Sequence, residues 1–597
     1  MAPLLNISIS NNLQFFPVFI LIFILVLFPC LSAATTSEAE ALLKWKNSLH
    51  NLTNHSLLPS WKLLPSYNST SPSTNSSHSS CCQWIGIVCN EFGSVTEINL
   101  ASSNLKGTLQ YFNFSSFPNL LSFVLNDNSL YGSIPSQISN LSRLTHLELG
   151  WNQLSGNIPF EIGMLLSLEV FWAHNNNLSE VGQLSSLVVL YLYENNLSGT
   201  IPSSIGNLSK LSDLGLYTNN ITGFIPKEVG QLSSLMVLYL YENHLSGSIP
   251  SSIGNLSKLS DLALSTNNII GSIPKEVGQL SSLNTLYLHI NHLSGSIPSS
   301  IGNLSKLSYL ALGNNNITGS IPKEVGQLSS LNWLFLNTNH LSGSIPSSIG
   351  NLSKLSYLEL NTNNIIRSIP KEVGQLSSLN MLGLHANHLS SSIPSSIGNL
   401  TNLENFTISD SSLTGCLPEN ICLGGKLKWL AAFNNHFIGS IPKGLRNCNT
   451  LFSVSLQENL LTGNVSEEFG IYSNLYYMDL SNNKFVGKLI GNWGQCPKLM
   501  KLNLSNNKIS GTLSPELGNA TQLQILDLSS NLLVGKIPKE LGKLKLLFNL
   551  KLNNNSFQAK FLLKLECYLN LNSLTFLQTN SVDKFQCIWG NVQNCYT

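Results

Sequence analysis

Charged residues are scarce in this chain of 597 residues. Only 10% of them are Asp, Glu, Lys or Arg, and the formal net charge is +1. An average soluble protein has about 25% charged residues. A nearly neutral chain lacks the basic surface that nucleic-acid binding requires, so the composition argues against that class of function. Serine, asparagine and attached sugar must instead make the surface polar.

Signatures of catalysis are also missing. The serine, histidine and aspartate residues form no nucleophile elbow, the turn that exposes a hydrolytic serine. The sequence contains no kinase glycine-rich loop, no H-R-D and no D-F-G triplet. We therefore expect a protein that is not an enzyme and that carries neither a cofactor nor a metal.

Long apolar runs are limited to the beginning of the chain. Residues Phe15 to Leu31 are almost wholly apolar and are followed by Ser32-Ala33-Ala34, which is typical of a signal peptide over residues 1–34. The first basic residue is Lys44, so the usual basic segment is missing, and a signal anchor is the alternative. No later stretch approaches the ~20 apolar residues of a membrane span, and no lipid-anchor signal is evident.

The chain is rich in one repeated motif. From Val95 to Phe557 the pattern L-x-x-L-x-L-x-x-N-x-L-x-G-x-I-P recurs about every 24 residues, and such self-similarity indicates a stacked repeat protein. The Leu-x-Leu alternation predicts a short strand with its leucines facing inward. A regular series of its asparagines is Asn219, Asn243, Asn267, Asn291, Asn315, Asn339, Asn363 and Asn387.

One coil of this repeat cannot fold alone. About seven apolar side chains contribute roughly 1.5–3 kcal/mol each, whereas ordering each residue costs about 1.5 kcal/mol. Stacking must supply the difference. We expect about twenty coils over residues 94–557, between an N-terminal cysteine cap at 35–93 and a divergent C-terminal tail at 558–597.

The repeat has two irregular coils. The step from Asn176 to Asn195 is 19 residues, so we expect that coil to keep its strand and to lose its outer turn. Ser411 stands where an asparagine is expected. Four histidines recur every 48 residues, but alternate coils hold them about 10 Å apart, too far to share a metal, and we interpret them as surface copies. They are His244, His292, His340 and His388.

Two cysteine pairs suit disulfides in a secreted protein. Cys82 and Cys89 flank a tryptophan just before the repeats begin, which predicts a stapled cap. Cys422 and Cys448 are one repeat plus two residues apart, so they can meet on adjacent coils. The pairing of the remaining cysteines stays open: Cys81, Cys416, Cys496, Cys567, Cys587 and Cys595.

Sequons of the form N-x-S/T are frequent after the leader, and we expect several to be glycosylated. The candidates are Asn140, Asn207, Asn255, Asn303, Asn351 and Asn399.

The residues that alternate with the strand leucines form an aromatic band with carboxylates between the rings. Exposed aromatic rows are typical anchors of protein recognition surfaces, and the carboxylates can accept hydrogen bonds from an extended peptide. The alternative is that tyrosine suits strands and that duplication copied it. The predicted ligand-binding residues are Trp172, Tyr191, Tyr193, Asp213, Tyr217, Tyr239, Tyr241, Asp261, Tyr287, Trp333 and Phe335.

The L-S-G-x-I-P motif behind the Cys82–Cys89 cap closely resembles the extracellular leucine-rich repeats of plant receptor-like kinases, over about residues 35–557. More narrowly, Gly107–Gln110, Leu417–Cys422 and Asn492–Pro497 resemble the male-discoverer-interacting type. The resemblance implies an α/β fold: a right-handed leucine-rich repeat solenoid with a parallel sheet on its concave face, and with turns and short 3-10 segments on its convex side. Members of the family continue with further repeats, a membrane span and a cytoplasmic kinase, which we do not find here.

The resemblance implies a secreted or cell-surface protein that binds a peptide or protein on its concave face, with a co-receptor kinase ectodomain as a further partner. Some related receptors capture a peptide carboxylate with an arginine pair, but this chain has only Arg143, Arg367 and Arg446. One alternative is a secreted inhibitor of a pathogen cell-wall hydrolase, although those inhibitors are shorter. Another is a truncated receptor-kinase product with no activity of its own.

Overall fold

The computed structural model describes residues 37–50, 58–63, 81–179, 187–558 and 573–575. These residues form two compact units, which we call the N-terminal unit (up to Ser246) and the C-terminal unit (from Gly247). The predicted leader and most of the predicted tail lie outside the described residues. The predicted domain boundaries therefore stay predictions.

Both units are leucine-rich repeat coils, so the predicted fold is confirmed. In most of the described coils a three-residue strand is followed by a tight corner, a short second strand or bridge, and a 3-10 turn that leads back to the next strand. Strands of successive coils pair in parallel and in register, so that Leu214 lies beside Leu190 and Leu238. The 24-residue period thus becomes the step from one strand to the next.

The N-terminal unit contains the helix 37–48 and two sheets. Its first sheet is parallel except for the antiparallel first pair. The strands of that sheet are Ile87–Cys89, Val95–Asn99, Ser122–Val124, His146–Glu148, Val170–Trp172, Val189–Tyr191, Asp213–Gly215 and Val237–Tyr239. The strands of the second sheet are Lys106–Gly107, Ser129–Gly132, Gln153–Gly156 and Asn177–Leu178. The 3-10 turns are Cys81–Gln83, Phe114–Ser116, Ser136–Asn140, Phe160–Met164, Ser203–Asn207 and Lys227–Gln231.

The C-terminal unit repeats this arrangement. The strands of its main sheet are Asp261–Ala263, Thr285–Tyr287, Tyr309–Ala311, Trp333–Phe335, Tyr357–Glu359, Met381–Gly383, Asn405–Thr407, Trp429–Ala431, Ser453–Ser455, Tyr477–Asp479, Lys501–Asn503, Ile525–Asp527, Asn549–Lys551 and Ser573–Thr575. The shorter strands are Ile270–Ser272, His292–Ser294, Ile366–Arg367, His388–Ser392, Ser412–Gly415, His436–Phe437, Ser510–Gly511, Leu532–Gly535 and Ser556–Phe557.

The return segments of the C-terminal unit are short turns and two single-turn helices, Lys443–Arg446 and Val465–Glu468. Its 3-10 turns are Ser251–Asn255, Lys275–Gln279, Ser299–Asn303, Lys323–Gln327, Ser347–Asn351, Lys371–Gln375, Ser395–Asn399, Gly491–Gln495, Pro515–Asn519 and Lys539–Lys543. Among the residues that the structure describes, no helix has the length and hydropathy of a membrane span.

The repeated asparagine joins adjacent coils. The side-chain amide of Asn243 donates to the carbonyls of Leu240 and Tyr241 in its own coil and to the carbonyl of Leu216 in the preceding one, at 3.0–3.2 Å. Its Oδ1 accepts the backbone N–H of Ile221 at 3.0 Å. The corner is buried, so these backbone groups would otherwise lack partners. This asparagine ladder explains why the residue recurs.

Glycine recurs in the outer turns for a different reason. A Cβ atom on Gly278 would lie 2.3 Å from the carbonyl oxygen of Ser300 in the next coil. Adjacent outer turns approach more closely than any side chain allows. The G of the S-S-I-G-N and K-E-V-G-Q segments is therefore required by packing.

The coil with the 19-residue step behaves as predicted in the part that can be described. Asn176 stays in the ladder, donating to Leu149, Ala173 and His174 carbonyls at 3.0–3.2 Å. The short strand Asn177–Leu178 pairs with the preceding coil. The predicted loss of the outer turn concerns residues 180–186, which lie outside the described residues.

An apolar cap covers the first coil of the N-terminal unit. Trp45 is fully buried and donates its indole N–H to the carbonyl of Thr108 at 3.0 Å. The Glu38 carboxylate is also buried and accepts hydrogen bonds from Ser94 Oγ and Val95 N. Burial nevertheless raises its pKa, because removal from water penalises the charged form. The helix 37–48 therefore packs a carboxylate as well as apolar side chains against the first coil.

Both predicted disulfides are present. Cys82 pairs with Cys89 in the cap, with Cα atoms 5.5 Å apart, and Cys422 pairs with Cys448 on adjacent coils at 6.1 Å. Cys81 and Cys496 are free thiols and buried, and Cys416 is free and exposed. The predicted tail cysteines lie outside the described residues.

The six candidate glycosylation sites share one location. Each asparagine is exposed and is the last residue of a 3-10 turn, on the side opposite the strands of its unit. Glycosylation itself stays a prediction.

Candidate functional site

The strand face carries five side chains from each coil. In the coil of Asn243 these are Met236, Val237, Tyr239, Tyr241 and Glu242, of which the first and last are exposed and the others half-buried. Leu238 and Leu240 point the other way and are fully buried. This alternation follows from the two-residue period of a strand, as the sequence predicted.

Four rings on successive coils of the N-terminal unit stack into what we call the tyrosine column: His174, Tyr193, Tyr217 and Tyr241. Each neighbouring pair has ring centroids 4.3 Å apart, with interplanar angles of 20°, 7° and 12°. The spacing is slightly below the usual distance between strands, so the rings are held face to face by the sheet. Their faces are occupied, and the column therefore offers ring edges and hydroxyl groups to a ligand.

A second row of rings lies beside the column and is interrupted by a glycine. Trp172 stacks on Tyr191 at 5.8 Å, and Tyr239 lies edge-on to Tyr217 at 6.3 Å. Between Tyr191 and Tyr239 the strand position is Gly215, and a Cβ there would lie 2.9 Å from the Tyr191 ring. The missing side chain lets Tyr191 lean over the backbone, where its hydroxyl is 3.5 Å from Asp213 Oδ1.

The tyrosine hydroxyls of this face are kept protonated. Burial, reinforced by the nearby Asp213 carboxylate, raises the pKa of Tyr191 to about 12. Burial also raises the pKa of Tyr193, Tyr217 and Tyr241, which exchange hydrogen bonds along the column. All four phenols are therefore neutral at physiological pH and can act as hydrogen-bond donors.

Two buried nitrogen atoms at one end of the column lack partners among the described residues. They are Nδ1 of His174 and Nε1 of Trp172. His174 is only 8% exposed, and burial lowers its pKa, so its ring is favoured in the neutral form. Unsatisfied polar atoms are uncommon in folded proteins and often mark functional positions.

The C-terminal unit has its own aromatic cluster. Tyr309 and Tyr357 pack against the two sides of Trp333, with ring centroids 5.4 Å and 4.7 Å away, and Phe335 lies edge-on to Trp333 at 5.5 Å. Trp333 is 37% exposed. Tyr287 lies 6.4 Å from Tyr309. These rings are tilted rather than parallel, so part of each face stays open.

The predicted ligand-binding residues thus fall into two groups. Seven of them share the strand face of the N-terminal unit: Trp172, Tyr191, Tyr193, Asp213, Tyr217, Tyr239 and Tyr241. The other four lie in the C-terminal unit: Asp261, Tyr287, Trp333 and Phe335. Asp261 already accepts hydrogen bonds from Ser260 Oγ and Thr285 Oγ1, both at 2.5 Å. Their role in binding stays a prediction.

Several residues of these surfaces escaped the sequence analysis. His174, Tyr309 and Tyr357 complete the two clusters, and reading every strand-face position, rather than its most conspicuous aromatics, would have found them. In the C-terminal unit Trp429, Phe452 and Tyr476 form a further exposed row, with centroids 5.7 Å and 5.2 Å apart. Phe452 and Tyr476 precede their strands by one residue, which simple alternation does not predict.

Family comparisons agree with this architecture. A model described as a leucine-rich repeat region matches residues 288–512, and a leucine-rich repeat N-terminal domain matches residues 35–90. Single leucine-rich repeats match residues 143–165, 186–208, 234–256 and 522–544.

Similar proteins of Arabidopsis thaliana are receptor kinases. A probable leucine-rich repeat receptor-like protein kinase is 41% identical over 122 residues, which is 20% of this chain and 10% of the relative. MDIS1-interacting receptor like kinase 2 is 40% identical over 127 residues, 21% of this chain and 11% of the relative. The chain thus matches about a tenth of the length of these relatives.

Solved structures match over much more of the chain. The plant peptide hormone receptor RGFR1 in complex with RGF2 superposes with a TM-score of 0.75 at 34% identity, over 80% of this chain and 84% of that one. PEPR1 with AtPEP1 gives 0.73 at 32% identity, over 91% and 82%. The Arabidopsis HAESA ectodomain with an IDA peptide gives 0.70 at 30% identity, over 91% and 93%. These neighbours are ligand-binding ectodomains rather than catalytic domains.

Proposed function

The chain belongs to the leucine-rich repeat ectodomains of plant receptor kinases, and from this premise we propose that it recognises an extracellular peptide through its strand face. The protein acts by binding and not by catalysis. The observation that carries the proposal is the tyrosine column with the ring row beside it, because seven aromatic rings on adjacent coils are held rigidly at the surface.

Rigid tyrosines suit recognition for a physical reason. A side chain that is already stacked at 4.3 Å loses little rotational freedom when a ligand binds, so less of the contact energy is spent on ordering. Neutral hydroxyl groups along the column provide directional hydrogen bonds. An extended peptide lying across the strands would satisfy both features.

The scale of the surface also fits a peptide. Tyr191 and Tyr239 are two strand steps apart, or roughly 10 Å. The column extends over one step more, because it begins one coil earlier, at His174. This span corresponds to about four or five residues of extended chain at about 3.3 Å each. The solved neighbours named above were determined with peptide ligands, which supports the same class of ligand here.

The finer assignment is a receptor of the MDIS1-interacting type, located on the outer side of the plasma membrane. The 40% identity to MDIS1-interacting receptor like kinase 2 supports it, together with the Leu417–Cys422 and Asn492–Pro497 strings. A co-receptor ectodomain is the expected further partner, because a HAESA structure contains the co-receptor SERK1 as well as a peptide.

Binding should be tested with the purified chain and a fractionated pool of secreted plant peptides. We expect one fraction to bind, and Tyr239→Ala and Asp213→Ala each to weaken that binding, the former about thirtyfold, as is typical for a central aromatic anchor. His340→Ala is the control, because His340 is exposed on the flank of the strands. If the two strand-face variants bind normally while folded, the site lies elsewhere. If only a cell-wall hydrolase binds, the protein is an inhibitor.

A further inference from the structure

Within the described residues, the strand face of the N-terminal unit carries one carboxylate in every coil and no lysine or arginine. The seven residues are Glu97, Asp127, Glu148, Glu169, Glu194, Asp213 and Glu242. Such regularity is unusual in a chain whose formal net charge is +1. It means that the positive charges of this unit lie away from the face that bears the tyrosine column.

The partners of these carboxylates are neutral within the described residues. Ser102 Oγ donates to Asp127 at 2.7 Å, Asn175 Nδ2 to Glu194 at 2.6 Å, and Thr218 Oγ1 to Glu242 at 2.7 Å. Asp213 accepts from Ser212 and, at 3.5 Å, from Tyr191. In the part of the chain that the structure describes, none of the seven carboxylates takes part in an ion pair with Lys or Arg. Neutral donors therefore hold these carboxylates in place, but no lysine or arginine of the described residues neutralises their charge.

Histidine does not supply the missing positive charge at the tyrosine column. His174 stands within the column, is only 8% exposed, and has Nδ1 unpaired among the described residues. Burial lowers its pKa, so it is disfavoured as a cation. His146 lies beside Glu148, two coils from Tyr193. A buried imidazole nitrogen without a hydrogen-bond partner among the described residues is a second sign that this face is incomplete without a ligand.

The C-terminal unit, unlike the N-terminal unit, carries lysines on its strand face. Its strand-face lysines each pair with a carboxylate: Lys428 with Glu404 at 2.7 Å, Lys501 with Asp479 at 3.8 Å, and Lys551 with Asp527 at 3.4 Å. Ion pairs between adjacent coils are therefore compatible with the strand face of this repeat. Their absence from the strand face of the N-terminal unit distinguishes the two surfaces.

We propose that the strand face of the N-terminal unit binds an extended basic peptide, whose Lys or Arg side chains contact Glu194, Asp213 and Glu242 while its backbone lies on the tyrosine column. This inference rests on the proposed function and adds the charge of the ligand and the unit that binds it. The ring edges can pack against the aliphatic parts of such side chains, the tyrosine hydroxyls can hydrogen-bond to the peptide backbone, and the carboxylates neutralise the charged ends.

The geometry sets the number of basic residues. Glu194 and Glu242 occupy the same corner position in coils that are two steps apart, with Thr218 between them, so they are roughly 9.6 Å apart. Asp213 lies outside that row, because it is the first residue of its strand and is paired with Val189 and Val237. In an extended peptide, alternate side chains face the same way about 6.6 Å apart. Two long basic side chains separated by one other residue can therefore reach Glu194 and Glu242 together, and a further basic residue is required to reach Asp213. A peptide with a K-x-K or R-x-R segment is the minimal ligand.

The test uses display selection of random 12-residue peptides on the purified chain. We expect the selected peptides to contain several times more Lys and Arg than the starting library, with a K-x-K or R-x-R spacing. A selected peptide should then bind about tenfold more weakly when the sodium chloride concentration rises from about 50 to 300 mM, because salt screens exposed charges.

Isosteric variants locate the site. The triple variant Glu194→Gln, Asp213→Asn, Glu242→Gln removes three charges and retains side chains that can accept the existing hydrogen bonds. It should weaken binding of a selected peptide by more than twentyfold. Glu458→Gln is the matched control, because Glu458 lies in the C-terminal unit at the same corner position as Glu194 and Glu242, directly before the ladder asparagine and with a similar left-handed φ of 58°. That control should change affinity less than twofold.

The outcomes separate this inference from the proposed function. Selection of neutral or acidic peptides that still require Tyr239 would overturn the basic-ligand inference and leave peptide recognition intact. A larger effect of Glu458→Gln than of the triple variant would overturn the assignment to the N-terminal unit. If a folded chain enriches no peptide at all, the proposed function itself fails.

Discussion

Replacing Ser411 by asparagine should stabilise the C-terminal unit. Ser411 occupies a ladder position, but its hydroxyl makes one 3.3 Å hydrogen bond to the carbonyl of Asn387. In the next coil Asn435 donates to three carbonyls, at 2.9 Å to Ile408 and at 3.4 Å and 3.1 Å within its own coil, and accepts the N–H of Leu413 at 3.0 Å. Ser411→Asn restores this set of bonds.

The size of the effect follows from the bonds gained. About three additional buried hydrogen bonds contribute roughly 0.5–1.5 kcal/mol each, and ordering the longer side chain costs about 1 kcal/mol. The expected gain in unfolding free energy is about 2 kcal/mol. The mirror variant Asn435→Ser should lose a similar amount, because it removes the same bonds from an intact coil.

Amide hydrogen exchange is the suitable assay, since repeat proteins open locally and their unfolding need not be two-state. A gain of about 2 kcal/mol slows exchange through local opening by about thirtyfold. We expect this slowing for the amides of the Ser411 coil, and faster exchange around Asn435 in the mirror variant. Unchanged exchange in Ser411→Asn, with a clear effect of Asn435→Ser, would refute the reasoning, because the corner would then be unable to accept the amide.

Three further results are expected. Arg367 has a left-handed φ of 73° at a position where most coils have glycine, such as Gly343, so Arg367→Gly should raise the free energy of unfolding by about 1 kcal/mol. Thermal or chemical unfolding measures this, and a lower free energy of unfolding would show that Arg367 makes a compensating contact. Burial lowers the pKa of His174, so its contribution to stability is present above pH 6.5, the ordinary pKa, and is lost as the pH falls towards the pKa in the folded protein. His174→Phe should therefore reduce the loss of unfolding free energy at acid pH, and an unchanged dependence of that free energy on pH would contradict this. Stability should fall by about 2–4 kcal/mol when the Cys422–Cys448 disulfide is reduced or removed in the Cys422→Ser, Cys448→Ser double variant. Faster proteolysis between these residues would detect the loss, whereas Cys416→Ser should have no effect.

Much of the fold could be predicted from the sequence, because each coil repeats the same local requirements. The leucine spacing predicted the inward and outward faces of every strand, and the asparagine period predicted the ladder that includes Asn176 and Asn243. The Cys422–Cys448 pair followed from coil spacing, and the Cys82–Cys89 pair followed from its place beside a tryptophan just before the repeats. These properties depend on short distances along the chain, where residue type and period are sufficient.

The candidate site was predicted less completely. Alternation identified Tyr191, Tyr217 and Tyr239 as surface residues, but not that the column rings stack in parallel and present their edges. The place of His174 in that column escaped notice, because only the pairing of adjacent strands brings it against Tyr193. Sequence period predicts which face a side chain occupies, and not how it tilts against its neighbour.

The sequence by itself determined the repeat, the direction of its side chains and the location of its covalent links, since all of these follow from periodicity within one coil or between adjacent ones. Tertiary structure decided which charges have partners. Asp213 and Asp261 occupy equivalent positions, yet only Asp261 receives a hydroxyl from the following strand, that of Thr285. The physical reason is that a carboxylate accepts hydrogen bonds only from donors that the neighbouring coil places within about 3 Å. Those donors are about 24 residues away in sequence, so the sequence of one coil does not identify them.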